Sequence, residues 1–135
     1  MNTKNLNSCD YVKEAEEVML TFKSSNPFKI VTTTKLRNLL AMISDIYNDV
    51  MTPGSTVGDN KHLNKDIVDR IRYLKVKFIY ESGREESVRT FVDRANIINY
   101  LDDLIEEMTK DNFIRFSRYM EALVAYRKYH FIGDK

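Results

Sequence analysis

Tryptophan is absent from this chain, and the 135 residues hold only one Cys, two Pro, four Gly and two His. Each shortage excludes a class of chemistry. Cys9, alone, can form neither an internal disulfide nor a thiolate metal cluster, in keeping with a reducing compartment. It has no evident base beside it, so a nucleophilic role is unsupported. His62 falls in a loop and His130 near the end, and neither has a second His or Cys at metal-ligand spacing. Gly54 and Gly58 suggest a phosphate loop only superficially. Asp59 stands where that loop requires lysine, and no apolar strand precedes it. No apolar run approaches the roughly 20 residues of a membrane span. The amino terminus, MNTKNLNSCD, lacks the apolar core of a signal peptide, so a cytoplasmic protein without membrane association is expected. Charge of one sign is missing too: 21 Lys and Arg against 20 Asp and Glu leave +1, which gives no global attraction to nucleic acid. No enzyme activity and no cofactor are expected.

What the chain does have is helical periodicity. With 43% apolar and 30% charged residues, it has the composition of a globular protein, of a length that favours a single domain over residues 1–135. Residues 1–9 are polar and expected to be frayed. A first helix should begin near Ser8 or Asp10 and run to about Lys23, burying Tyr11, Val12, Ala15, Val18, Met19 and Phe22. Ser24–Val31, with Pro27, reads as a connector. A second helix starts within Thr32–Thr34, with Leu36, Leu39, Leu40, Ile43, Ile46, Tyr47 and Val50 inward. Met51–His62 has the composition of a mobile loop.

The remaining helices follow the same logic. Gly83 is a C-terminal stop for a central helix, and Ser87 can cap a short one carrying Val88, Phe91, Val92 and Ala95. Asn96 marks a bend before Ile97–Met108. Thr109 caps a last helix over Lys110–Tyr129, whose core stripe is Phe113, Phe116, Met120, Leu123 and Val124. Sustained strand alternation is missing. The expected fold is an all-α bundle of five to six helices.

The chain is organised around Leu63–Arg84. Ile67, Ile71, Leu74 and Phe78 form one narrow stripe of a buried helix face. Beside it, Arg70, Tyr73, Lys77, Tyr80 and Arg84 recur at spacings of three and four. Such a row either grips a phosphate chain or forms a solvated cationic edge with tyrosines at the core margin. Lys35 and Arg37 sit in the first turn of the second helix, where cations oppose the helix dipole unless an anion joins them. Charge is also unevenly spread. Lys61–Arg94 holds nine bases and six acids, whereas Asp102, Asp103, Glu106 and Glu107 have no base between Tyr100 and Met108. A basic and an acidic side follow. The acidic run is read as a solvated face, since neighbouring acids diverge on a helix.

Three stretches carry a family likeness: LRNLL at Leu36–Leu40, YLKVKFIYESGRE at Tyr73–Glu85 and FSRYMEALVAYRKY at Phe116–Tyr129. With them the chain resembles the small subunit of type III-A CRISPR–Cas effector (Csm) complexes. The resemblance implies a non-catalytic helical protein, present in several copies along the inner side of a ribonucleoprotein filament. Its partners would be guide RNA, target RNA, the other subunits and further copies of itself. Holding a guide–target duplex without reading sequence needs spaced cations. Lys35, Arg37, Lys75, Lys77, Arg84, Arg118 and Arg127 lie in or beside the matching stretches and are the RNA-binding candidates, joined by Arg70 on periodicity alone. Tyr73 and Tyr80 stack on bases or pack at the core margin. Two other classes compete. A helix-turn-helix DNA regulator wants a tight turn and an outward polar recognition row, and a protein–protein adaptor would use the acidic face.

Overall fold

Among the described residues there are six helices: α1 (Asp10–Ser25), α2 (Thr33–Val50), α3 (Lys65–Arg84), α4 (Glu86–Arg94), α5 (Ile97–Glu106) and α6 (Lys110–His130). The computed structural model describes residues 10–25, 30–59 and 61–131. The expected fraying of residues 1–9, the Ser8 cap and Pro27 of the connector lie outside the described residues. The all-α expectation holds, with one addition. Thr56–Val57 (β1) pairs antiparallel with His62–Leu63 (β2).

The apolar periodicities become one core. Leu36, Ile43, Ile71, Phe78, Phe91, Leu101, Phe113, Phe116, Met120 and Leu123 are all essentially sealed from solvent. Fully burying a side chain of this size contributes roughly 1.5–3 kcal/mol, so the shared core dominates stability. Val12, read as inward, is instead exposed at the edge of α1. Helix α6 packs on α1, α2 and α5, whereas α3 packs on α2, α4 and α5.

Capping follows side-chain chemistry at three of the helix starts. The Thr32 hydroxyl accepts from the Lys35 N–H (3.2 Å), Asn64 Oδ1 from the Ile67 N–H (3.0 Å) and the Thr109 hydroxyl from the Asn112 N–H (3.3 Å). Two sequence expectations are corrected. Gly83 does not stop the central helix but stays within it. Extended backbone at Glu85 (φ −140°, ψ 127°) both ends α3 and precedes α4, leaving Ser87 inside α4. Asn96 does turn the chain, in left-handed backbone (φ 63°, ψ 31°), a conformation asparagine tolerates.

Composition alone makes Met51–His62 a mobile loop. The structure builds the small hairpin there and ties it down. The Leu63 N–H donates to the Met108 carbonyl (2.9 Å), and the Lys110 N–H to the Lys61 carbonyl (3.0 Å). With Leu63 buried, the hairpin links the start of α3 to the α5–α6 turn.

Polar contacts tie α1, α5 and α6 to their neighbours. His130 Nε2 lies 2.9 Å from the Glu16 carboxylate. The Tyr100 hydroxyl donates to Glu14 (2.5 Å) and the Tyr119 hydroxyl to the Ala95 carbonyl (2.8 Å), with the two rings edge to face at 5.2 Å. Burial pushes both phenols well above the ordinary tyrosine value, and the Glu14 carboxylate pushes the same way.

Candidate nucleic-acid interface

Helix α3 is fixed before it presents anything. Asn64, besides capping it, donates its backbone N–H to the Ser55 carbonyl (2.7 Å) and its side-chain amide to the Gly54 carbonyl (3.1 Å). Ile67, Ile71, Leu74 and Phe78 then hold the inner face in the core. Everything opposite is open to solvent.

On that open side Tyr73 and Tyr80 are 59% and 62% exposed, so core-margin packing does not describe them. The Lys77 ammonium stands 5.4 Å from the Tyr73 ring centroid, and the Arg84 guanidinium 5.7 Å from that of Tyr80. Each cation is drawn to the negative ring face. The result is an exposed column of aromatic, cation, aromatic, cation along one helix.

The column borders a groove between α2 and α3. Two shallow hollows of about 220 and 280 Å³ follow one another there, sharing Met42. Lys35 and Arg84 line the first, Arg70 and Lys77 the second. Four of the eight candidate cations therefore converge. Three already have acidic partners: Lys35 pairs with Glu85, Arg70 with Asp49, and Arg84 with Glu81 at 3.3 Å. Among the described residues, no carboxylate lies within ion-pair distance of Lys77. The anion that relieves Lys35 at the start of α2 is thus Glu85, supplied by the α3–α4 junction. These pairs are solvent-accessible and worth no more than about 1 kcal/mol each. A phosphate can displace such partners.

The other four candidates lie elsewhere. Arg37, two residues beyond Lys35 and so roughly 200° further round α2, is exposed on the side away from the groove. Lys75 pairs with Asp102 of α5 (2.5 Å), on the opposite flank of α3. Arg118 is exposed on α6, outside the groove. Arg127 requires a correction, because it is only 1% exposed. Its Nε donates to the Val31 carbonyl (3.0 Å) and its guanidinium stacks 4.6 Å from the Phe131 ring centroid. The backbone entering α2 and the end of α6 hold this group inside the fold, so Arg127 cannot reach RNA.

Sequence reasoning missed Arg72, Val76 and Ile79, all exposed on α3. Their signal was present: each falls outside the core stripe of that helix. It also missed Asp49 and Glu85 as partners of the groove cations, since nothing local in the sequence pairs residues on different helices. Among the described residues no three His, Cys, Asp or Glu side chains gather as metal ligands, and no helix is long and apolar enough to cross a membrane.

Comparison with known proteins adds the family. Residues 6–131 match the family described as Csm2 Type III-A. A protein of Enterococcus italicus, "CRISPR system Cms protein Csm2", is 43% identical over 107 residues, covering 79% of this chain and 73% of the relative. A Mycobacterium tuberculosis protein of the same name is 38% identical over 126 residues, covering 93% and 95%. A third, from Streptococcus thermophilus, is 30% identical over 122 residues, covering 90% and 91%. With nearly its whole length matched, and with the helical fold that the likeness implied, this chain belongs to the Csm2 type III-A family.

Proposed function

We propose that this chain is a non-catalytic subunit of a type III-A CRISPR effector complex, and that it holds the sugar–phosphate backbone of guide and target RNA without reading bases. The observation that carries the reading is the column of Tyr73, Lys77, Tyr80 and Arg84, exposed along α3 beside a groove that adds Lys35 and Arg70. Stacking on tyrosines tolerates any base, and cations at these spacings follow a backbone whatever its sequence. The balance of charge along the groove makes a single copy a weak binder. In an assembly, other subunits and further copies supply the rest through effective concentration.

The test is fluorescence anisotropy with single-stranded RNA on the isolated protein. Binding should be weak, indifferent to sequence and strongly reduced by salt. The double reversal Lys77→Glu with Arg84→Glu should abolish it while shifting the thermal melt by no more than about 2 °C, the scale of an exposed surface change. Undiminished binding by that variant would place RNA on another surface.

A further inference from the structure

The exposed column on α3 is a repeat. Tyr73 and Lys77 are four residues apart, as are Tyr80 and Arg84, and the second pair follows the first by seven residues. In both pairs the cation lies against its ring, while more than half of the tyrosine stays open to solvent. Each pair is thus a ring and a positive charge about one helical turn apart. Those are the two contacts a single nucleotide needs, one for its base and one for its phosphate. One repeat earlier the cation persists as Arg70, but Asp66 stands where a third ring would be. The column therefore holds two complete units and one extra cation. Lys77 and Arg84 also line the hollows between α2 and α3. A strand laid here turns its phosphates to the groove and its bases over the rings.

The spacing of the units decides which nucleotides they take. Seven residues at roughly 1.5 Å each separate the rings by about 10.5 Å along the helix. A peptide residue, with three backbone bonds, extends over about 3.6 Å at most, so a nucleotide with six reaches about 7 Å. Two neighbouring bases on the same side of a strand therefore fall short of the second ring. Two nucleotide steps cover the distance at about three-quarters of full extension. Three steps would leave about 3.5 Å per nucleotide, close to the rise of a continuously stacked strand, with no gap for a ring between bases.

We infer that α3 takes an unpaired RNA strand at every second nucleotide: Tyr73 and Tyr80 each stack one base, and the base between them is left unheld. The inference rests on the RNA reading above and adds to it the ligand class and the step. With Arg70 included, the column spans about 21 Å, a footprint of about five nucleotides.

Fluorescence anisotropy at low salt, with the full chain and strands of equal length and charge, tests this. Each strand carries two adenines on an otherwise abasic ribose–phosphate backbone, either adjacent or separated by one or three abasic sites. The strand with one site between its bases should bind about fivefold or more tighter than the adjacent-base strand, the gain from stacking a second base. Tyr80→Ala should erase that preference and leave the thermal melt unchanged. On a strand bearing all its bases, Tyr73→Ala with Tyr80→Ala should weaken binding by more than about tenfold. On the duplex of the same sequence the loss should stay below about twofold, because paired bases remain in their stack. A preference for adjacent bases, no preference among the spacings, or equal losses on single strand and duplex overturns the inference and leaves RNA binding itself standing. An intact single strand that does not bind at all removes both readings.

Discussion

Helices α3 and α6 look alike in sequence and behave oppositely in the fold. They are the two longest among the described residues, at 20 and 21 residues, and each sets a row of tyrosines and bases beside an apolar stripe. In α3 the row faces water, with Tyr73 and Tyr80 each more than half exposed. In α6 two such groups turn inward, Tyr119 being sealed and Arg127 a core residue, while Arg118 and Tyr129 stay exposed. The difference lies in the neighbours. Helix α6 runs between α1 and α2 with α5 also against it, and is enclosed over much of its circumference. Helix α3 meets its neighbours on one side only. A row of bases and aromatics is therefore not a binding signature in itself; its meaning is set by how many elements surround the helix.

Truncating one cation on each helix should separate them most sharply. Arg127→Ala removes a charge-assisted bond to the Val31 carbonyl and leaves space beside Phe131. A loss of about 3 kcal/mol is expected, read as a fall of roughly 10 °C in melting temperature. Lys77→Ala, on the open side of α3, should stay within about 0.5 kcal/mol of wild type. Equal effects at the two positions would break the contrast. A chemical denaturation series of both variants decides it.

The same contrast explains what was legible beforehand. Core stripes were readable because burial repeats with the helix period; Ile67, Ile71, Leu74 and Phe78 need only their own spacing to be found. Caps at Thr32, Asn64 and Thr109 follow from local chemistry, although only the first and last of these were anticipated. What depends on distant partners was hidden. Arg127 is spoken for by a carbonyl 96 positions away, and Arg70 by a carboxylate 21 positions away. Likewise Leu63 and the hairpin beside it are secured by the α5–α6 turn, which loop composition cannot reveal. The candidate site was thus half readable: the α3 column from its period, the groove and its acids only from the fold.

Removing a hydroxyl gives a middle-sized effect. Tyr119→Phe leaves the Ala95 carbonyl without its side-chain donor inside the bundle and should destabilise by about 1–2 kcal/mol, while Tyr80→Phe on α3 should be silent. An alkaline titration sharpens this. Free tyrosine ionises near pH 10, but Tyr100 and Tyr119 hold their protons well above that in the folded chain, mainly through burial. Below about pH 10 both states are protonated and the contribution is constant. Above it the unfolded chain alone loses protons, so stability falls as pH rises further. The double variant Tyr100→Phe with Tyr119→Phe should flatten that alkaline slope. An unchanged slope would mean that other groups govern it.

The smallest effect probes whether the groove cations are held in reserve or fully occupied. Arg70 is engaged by Asp49, and both side chains are substantially exposed. Such a pair contributes at most about 1 kcal/mol, so Asp49→Asn should scarcely move the melt. If RNA runs along the α2–α3 groove, the same substitution removes a repelling charge and releases a guanidinium to phosphate. Affinity for single-stranded RNA should then rise about two- to fivefold, equivalent to roughly 0.4–1 kcal/mol. The log–log salt dependence should steepen by up to about 0.7, the increment for one further phosphate contact on a single strand. Asp102→Asn, which frees Lys75 on the opposite flank of α3, alters net charge identically and is the control. Equal gains from both variants would assign the effect to overall charge and remove the groove from the RNA path. A gain confined to Asp49→Asn would mark the side of α3 along which the backbone lies.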